Sequence, residues 1–394
     1  MYNTQRDHST NVYHTMPDAK MEAGVIDKRI SDKIKLTVLL ATVTVVVRHS
    51  YNAHIYQPNI LDIGPNDISS FVQLLNRHST ASGVPMFFLL SGYLFFRNLH
   101  DKGLLRKWNS RLHSLVIPYV LWNVLYLGFF FVVLPHVSFI ERFSAYDPLT
   151  FNLQTVIQKL TIDPPSSHFW FVRDLIVFMA LAPLLYLVYR HPWLAGILLT
   201  SLLVYWRPVD RSVVSSEGLF FFFAGGWAGY RQLNLRRLTI ESSWITWILC
   251  VIWLGLCVCQ ILWPSKGAYD ELIAKVSILM GVLVLWTLVD CIETLSIRKE
   301  LLYLASYSFF IYASHKPMVN YIYKVLLSLS PKESQYYSLL VYVATPAITI
   351  AISVCAAKCL RRYGGNSYSI LTGGRLPPHN KEDKHATRAA TQTI

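Results

Sequence analysis

Apolar residues run through this chain in long blocks broken by short polar stretches, and the blocks recur too often for the buried faces of a soluble protein. Ten stretches predict helices, at 34–51, 83–98, 113–134, 168–189, 193–206, 217–231, 243–263, 272–290, 301–323 and 336–359. Several are shorter than the roughly 20 residues that a bilayer core requires. The pattern predicts an all-α fold: a polytopic membrane helix bundle of about ten transmembrane helices within one integral domain, 31–363. The flanks, 1–30 and 364–394, are polar and aperiodic and predict disordered tails. About 30 polar residues precede the first apolar run and no small-residue cleavage site follows it, which argues against a signal peptide.

Composition agrees with this reading. The chain is 53% apolar and only 15% charged, with a mean hydropathy of +0.36, which excludes an ordinary soluble enzyme. The net charge of +13 is scattered among hydrophobic spans, without zinc-finger spacing or an arginine-rich helix, so no nucleic-acid partner is expected. Roughly two-thirds of the lysines and arginines fall in segments on the side of the N-terminus, which predicts both termini in the cytoplasm of a multi-pass protein in the cell (inner) membrane. The six cysteines all lie in or beside apolar runs, where cysteine acts as a small hydrophobe, and no metal site is expected from their spacing.

Against this background the intramembrane polar residues carry information, because ionisable groups are costly there. In "TVVVRHSYN" the first span ends in Arg48 and His49. His49 lies 13 residues after Leu36, about 20 Å along a helix, and His315 in "SYSFFIYASHKPM" lies 13 residues after Leu302. Equal depth in two outward-running helices predicts that these histidines sit level, in the outer half of the bilayer. The fourth helix enters from the outside through "SSHFWFVRDLIVF", placing His168, Trp170, Arg173 and Asp174 near the same level. Glu217 opens the sixth helix and Ser91 lies about two turns below the outer end of the second. Arg173 and Asp174 form either an ion pair that only fixes packing or, because adjacent residues point about 100° apart on a helix, separate pairs with other helices, the second being the expectation. Simpler roles exist: histidines near helix ends reach headgroups, Ser91–Gly92 suits close helix contact, and aromatics form interfacial belts. On the inside, "RNLHDKGLLRKWNSR" offers Arg97, Arg106 and Arg111 as a docking site for a phosphorylated donor such as an acyl-CoA, or merely for lipid headgroups.

Several stretches together resemble the acyltransferase 3 family of bacterial multi-pass membrane proteins, which mostly O-acetylate carbohydrates. They are "VVVRHS", "VPMFFLLSGYLFF", "RLHSLVIPYVLWN", "HFWFVRDL" and "SYSFFIYASHKPM", and the resemblance covers roughly 30–362. It implies that His49 stands in the place of the family's catalytic histidine. The family usually carries an arginine or lysine eleven positions earlier, where this chain has Val38. The short stretch after Tyr363 predicts the stand-alone form, without a fused soluble domain.

The expected chemistry is acyl transfer, specifically O-acetylation, from acetyl-CoA or another acyl-CoA to a hydroxyl of a surface polysaccharide or lipid-linked glycan, with no bound cofactor. His49 would act as general base, or else as a transient acyl carrier, because an imidazole titrates near neutrality. Arg48 or Arg173 would stabilise the oxyanion, with Asp174 or Glu217 orienting a neighbour. Ser91, Trp170, Glu217 and His315 would contact substrate, with Phe169 beside Trp170 as a further stacking face for a sugar. The rival readings are a transporter or flippase for a lipid-linked sugar and a lipid-modifying membrane acyltransferase.

Overall fold

A computed structural model describes residues 27–50, 68–99, 103–130, 153–208, 214–238, 243–263, 267–329 and 335–377. The expected tails at 1–26 and 378–394 lie outside the described residues. Helices dominate, and among the described residues there is no strand. Among the described residues four helices are long and apolar enough to cross a membrane unaided, or five if one bent pair counts as a span. The others fall short of that measure because they are shorter, carry several charges like the first, or are interrupted by polar residues like Ser308–Ser328.

The first helix, α1 (Lys28–Ser50), runs from a lysine- and arginine-rich end to the histidine end of the molecule. Its basic end is tied to the long α12 (Ala268–Glu293) and to α13 (Arg298–Ala305). Lys33 is 1% exposed, donates to Asp290 at 2.8 Å and lies 4.2 Å over the Trp286 ring. Arg298 reaches Asp32 at 3.0 Å. Charges buried in this way are tolerated because each has a partner.

The helix α2 (Ile68–Ser79), unforeseen in the sequence, continues through a 3₁₀ turn into α3 (Gly83–Phe96). The amphipathic α4 (Leu104–Arg111) leads through a π-helical turn, Leu112–Val116, into α5 (Ile117–Gly128). After the short α6 (Leu153–Thr161), also unforeseen, comes the pair α7 (Trp170–Ala180) and α8 (Ala182–Tyr189), bent by 59°. Pro183 causes the break: it has no N–H for the carbonyl of Met179, which accepts instead from Trp108 Nε1 at 2.8 Å. Next along the chain are α9 (Pro192–Tyr205), α10 (Ser216–Tyr230) and α11 (Ser243–Leu262). The last described helices are α14 (Ser308–Ser328), α15 (Gln335–Tyr363) and the short α16 (Ser367–Thr372).

Helices α3 and α10 make the closest pairing. A Cβ at Gly92 would lie 2.8 Å from the backbone nitrogen of Gly226, and one at Gly225 would lie 2.7 Å from the carbonyl carbon of Leu89. Small residues here let two backbones touch, as in membrane helix packing generally. Residues 364–377, expected in a disordered tail, instead fold. Tyr368 is 1% exposed and stacks on Phe310, and Trp122 Nε1 donates to the Leu371 carbonyl at 3.1 Å. A buried aromatic and a capping glycine, Gly373 at φ +63, give this stretch the apolar anchor that a solvated tail lacks.

Candidate active site

Three histidines converge at the histidine end. His49 stands one residue from the end of α1 and His315 in the second turn of α14. Their ring centroids are 5.3 Å apart, in keeping with equal depth. His168 comes from a 3₁₀ turn, Ser167–Phe169, that follows Pro164–Pro165 and opens α7. Its ring lies 4.7 Å from that of His315. The order in space is therefore His49, His315, His168. Sequence reasoning placed His168 near this level without giving it a role.

Each ring is positioned by a specific bond. His315 is fully buried, and its Nδ1 donates to the Tyr312 carbonyl at 2.6 Å, leaving Nε2 without a hydrogen-bond partner. That bond fixes the tautomer with an unshared pair on Nε2. His168 Nδ1 is 2.8 Å from Ser166 Oγ, and the Tyr312 hydroxyl donates to the His168 carbonyl at 2.6 Å. Pro317 shapes the same turn. It cannot bond to the Ala313 carbonyl, which accepts from the Tyr126 hydroxyl at 2.7 Å. The charged groups nearest His49 are Lys316 and Arg48, with the His315 imidazole beside it. Lys316 donates to Ser167 Oγ, and Arg48 donates to the Arg77 carbonyl at 2.7 Å, with Glu217 as a nearby opposite charge. Among the described residues no group of three or more His, Cys, Asp and Glu side chains could hold a metal ion.

A cavity of about 820 Å³ opens toward the basic end. Lys35, Arg111, Lys299 and Arg375 contribute cations to its wall, and Val38, Thr42 and Ser91 line its middle. Phe87, Phe171 and Tyr312 line its inner part. Tyr312 also touches the histidines, its ring 5.3 Å from that of His168 and 5.9 Å from that of His315. Tyr312 thus stands between the cation-rimmed cavity and two of the histidines, His168 and His315.

Several expectations need correction. Arg173 and Asp174 bond to each other, at 2.9 and 2.7 Å, because the long arginine folds back from the start of α7 onto its neighbour. Asp174 also accepts from the Ser215 N–H at 2.9 Å, so the pair secures the entry to α10. Phe169 is fully buried among Tyr119, Tyr126 and Tyr312 and offers no face to a sugar. Trp170 packs on Phe88, with centroids 6.1 Å apart. Of the three arginines expected to dock a donor, Arg111 alone lines the cavity: Arg97 donates to the Tyr93 hydroxyl and Arg106 is exposed. Lys35, Lys299 and Arg375 were missed. They come from segments far apart in sequence, and no local motif marks them.

No curated protein and no solved structure matches the chain significantly. The model of the acyltransferase domain does match, across residues 39–358. That match takes in His49, Ser91, Arg111, His168 and His315, so the chain with the buried histidine cluster and the cavity behind it belongs to the acyltransferase 3 family.

Proposed function

We propose that this membrane acyltransferase moves an acyl group, acetyl in the simplest case, from acyl-CoA to a hydroxyl of a cell-surface glycan or its lipid-linked precursor. The observation that carries the reading is the alignment of two features: a cation-rimmed cavity on the side of the basic end, and a histidine cluster on the other side of Tyr312, which lines that cavity. The charge distribution assigns the basic end to the cytoplasm. A thioester inserting its arm there would bring its carbonyl toward a histidine site lying nearer the other face. A cytoplasmic donor and an outer-half base are then compatible.

In this reading His49 removes the acceptor hydroxyl proton as the oxygen attacks the thioester carbonyl. The tetrahedral oxyanion that forms is stabilised by the positive charges near His49, Lys316 and Arg48. Collapse breaks the carbon–sulfur bond, and the imidazolium returns the proton to the departing thiolate. His315 sits in ring contact with His49 and holds it against the cluster. Arg173 and Asp174 position α7 and α10 and take no part in the chemistry. In this reading Trp170 and Glu217 are assigned to the acceptor, while Ser91 lines the donor cavity.

Supplying labelled acyl-CoA to membranes containing the protein tests the reading. Label on glycan supports it. Label on lipid or protein instead would replace the acceptor class, and no transfer from any acyl-CoA would overturn the donor.

A further inference from the structure

The folded segment after α15 carries a cation into the donor cavity from outside the residues matched by the family model, which end at 358. We propose that Arg375 acts with Arg111 to hold the phosphate groups of a nucleotide-type thioester donor, making the C-terminal segment part of the donor site. The inference rests on the acyl-CoA reading above and extends it to a specific pair of residues.

The segment is built to present this side chain. Helix α16 is pinned to α5 through Trp122 and Leu371. Gly373 and Gly374, at φ +63 and +79, then turn the chain back toward the π-helical turn before α5. Any Cβ at Gly373 would lie 2.6 Å from Ser114 Cα, so only glycine permits the approach. Arg375 Nη1 donates to the carbonyls of Ser114 at 2.8 Å and Thr372 at 2.7 Å, and the guanidinium lies 4.5 Å over the Phe309 ring. One nitrogen and one ring face fix the group, while the other nitrogens are not spent on these carbonyls.

The charge balance then calls for an anion. Among the described residues Arg111, Lys299 and Arg375 have no carboxylate partner, whereas Lys35, in the same wall, is paired with Asp32 at 3.2 Å. Burial and the neighbouring charge of Arg111 hold the Arg375 guanidinium down to about 10, so it is still charged at neutral pH. Two like charges placed together at the edge of a cavity repel unless something between them is negative. Arginine forks match phosphate oxygens bidentately. A ligand with phosphates at this rim and an acyl group toward Tyr312 would have its two ends at the two chemically distinct ends of the cavity.

The test compares wild type with Arg375→Ala in phosphatidylcholine nanodiscs. Binding of adenosine 3′,5′-bisphosphate is measured directly, and KM is measured for acyl-CoA and for the matching acyl-pantetheine, which lacks the nucleotide phosphates. The expected result is at least tenfold weaker bisphosphate binding and a similar rise in KM for acyl-CoA, with KM for acyl-pantetheine unchanged. Arg375→Lys, which keeps charge but loses the fork, should fall between, and serves if the alanine variant does not accumulate. Equal bisphosphate binding by wild type and variant would overturn the inference, as would equal loss on both donors with a lowered melting temperature, the mark of a purely structural role. Displacement of the bisphosphate by phosphatidylglycerol, lost in the variant, would assign the site to a lipid headgroup and also overturn it. If the wild type binds the bisphosphate through Arg375 yet transfers nothing, the acyl-transfer reading falls and the phosphate site stands. Transfer with Arg375 irrelevant gives the reverse.

Discussion

Replacing Lys33 with Met tests how the helix that carries His49 is anchored. Lys33 is 1% exposed, 2.8 Å from Asp290 and 4.2 Å over Trp286. At that separation the attraction between unit charges is about 6 kcal/mol for an effective dielectric of about 20. Most of it is offset by the cost of removing both ions from water. Methionine keeps the length and apolar stem but strands the Asp290 carboxylate without its lysine, so the expected loss is about 3–5 kcal/mol, with about 1 kcal/mol more from the cation–π contact. Adding Asp290→Leu removes the stranded charge and should restore most of that loss. The assay is unfolding in mixed micelles of mild detergent and increasing dodecyl sulfate, followed by tryptophan fluorescence. A loss below about 1 kcal/mol, as for an exposed pair, or a double variant no more stable than Lys33→Met, would mean that the buried ion pair does not anchor α1. The double variant should keep its acyl-transfer activity well below its unfolding temperature, because the pair holds α1 and touches no reacting group.

Three further outcomes are expected. Gly225→Val should force α3 and α10 apart and abolish accumulation of folded protein, whereas Gly255→Val, where a Cβ meets nothing, should accumulate normally on a detergent size-exclusion profile. Tyr312→Phe removes the hydroxyl bonded to the His168 carbonyl and should cost about 1–3 kcal/mol in the same micelle assay. Arg111→Ala should raise KM for acyl-CoA about tenfold, the worth of one charge-assisted contact, while Arg106→Ala, exposed and away from the cavity, should leave it within about twofold.

The helical fold was legible in the chain because each long apolar run has one physical solution in a bilayer, where a backbone must satisfy its own hydrogen bonds. Equal depth of His49 and His315 followed from counting along helices of fixed rise, and the rings do meet. The amphipathic α2 and α6 were missed because their apolar faces are too short to stand out against the longer runs. Of the two readings of Arg173 and Asp174 the packing ion pair holds, because helical projection places Cβ atoms, whereas a long arginine can fold back over its neighbour. His168 acquires its place from a turn set by Pro164–Pro165, and the cavity's cations from α1, α4, α13 and the C-terminal segment. Such convergence depends on tertiary packing, and no local pattern encodes it.

The central claim is that His49 is the base for acyl transfer. The most direct measurement is the rate of label transfer from acyl-CoA to glycan by His49→Ala, in membranes where the variant has been shown to insert at wild-type levels. A fall of about 10²- to 10⁴-fold is expected, the usual contribution of a general base, with binding of the donor retained. A rate equal to that of the wild type would contradict it.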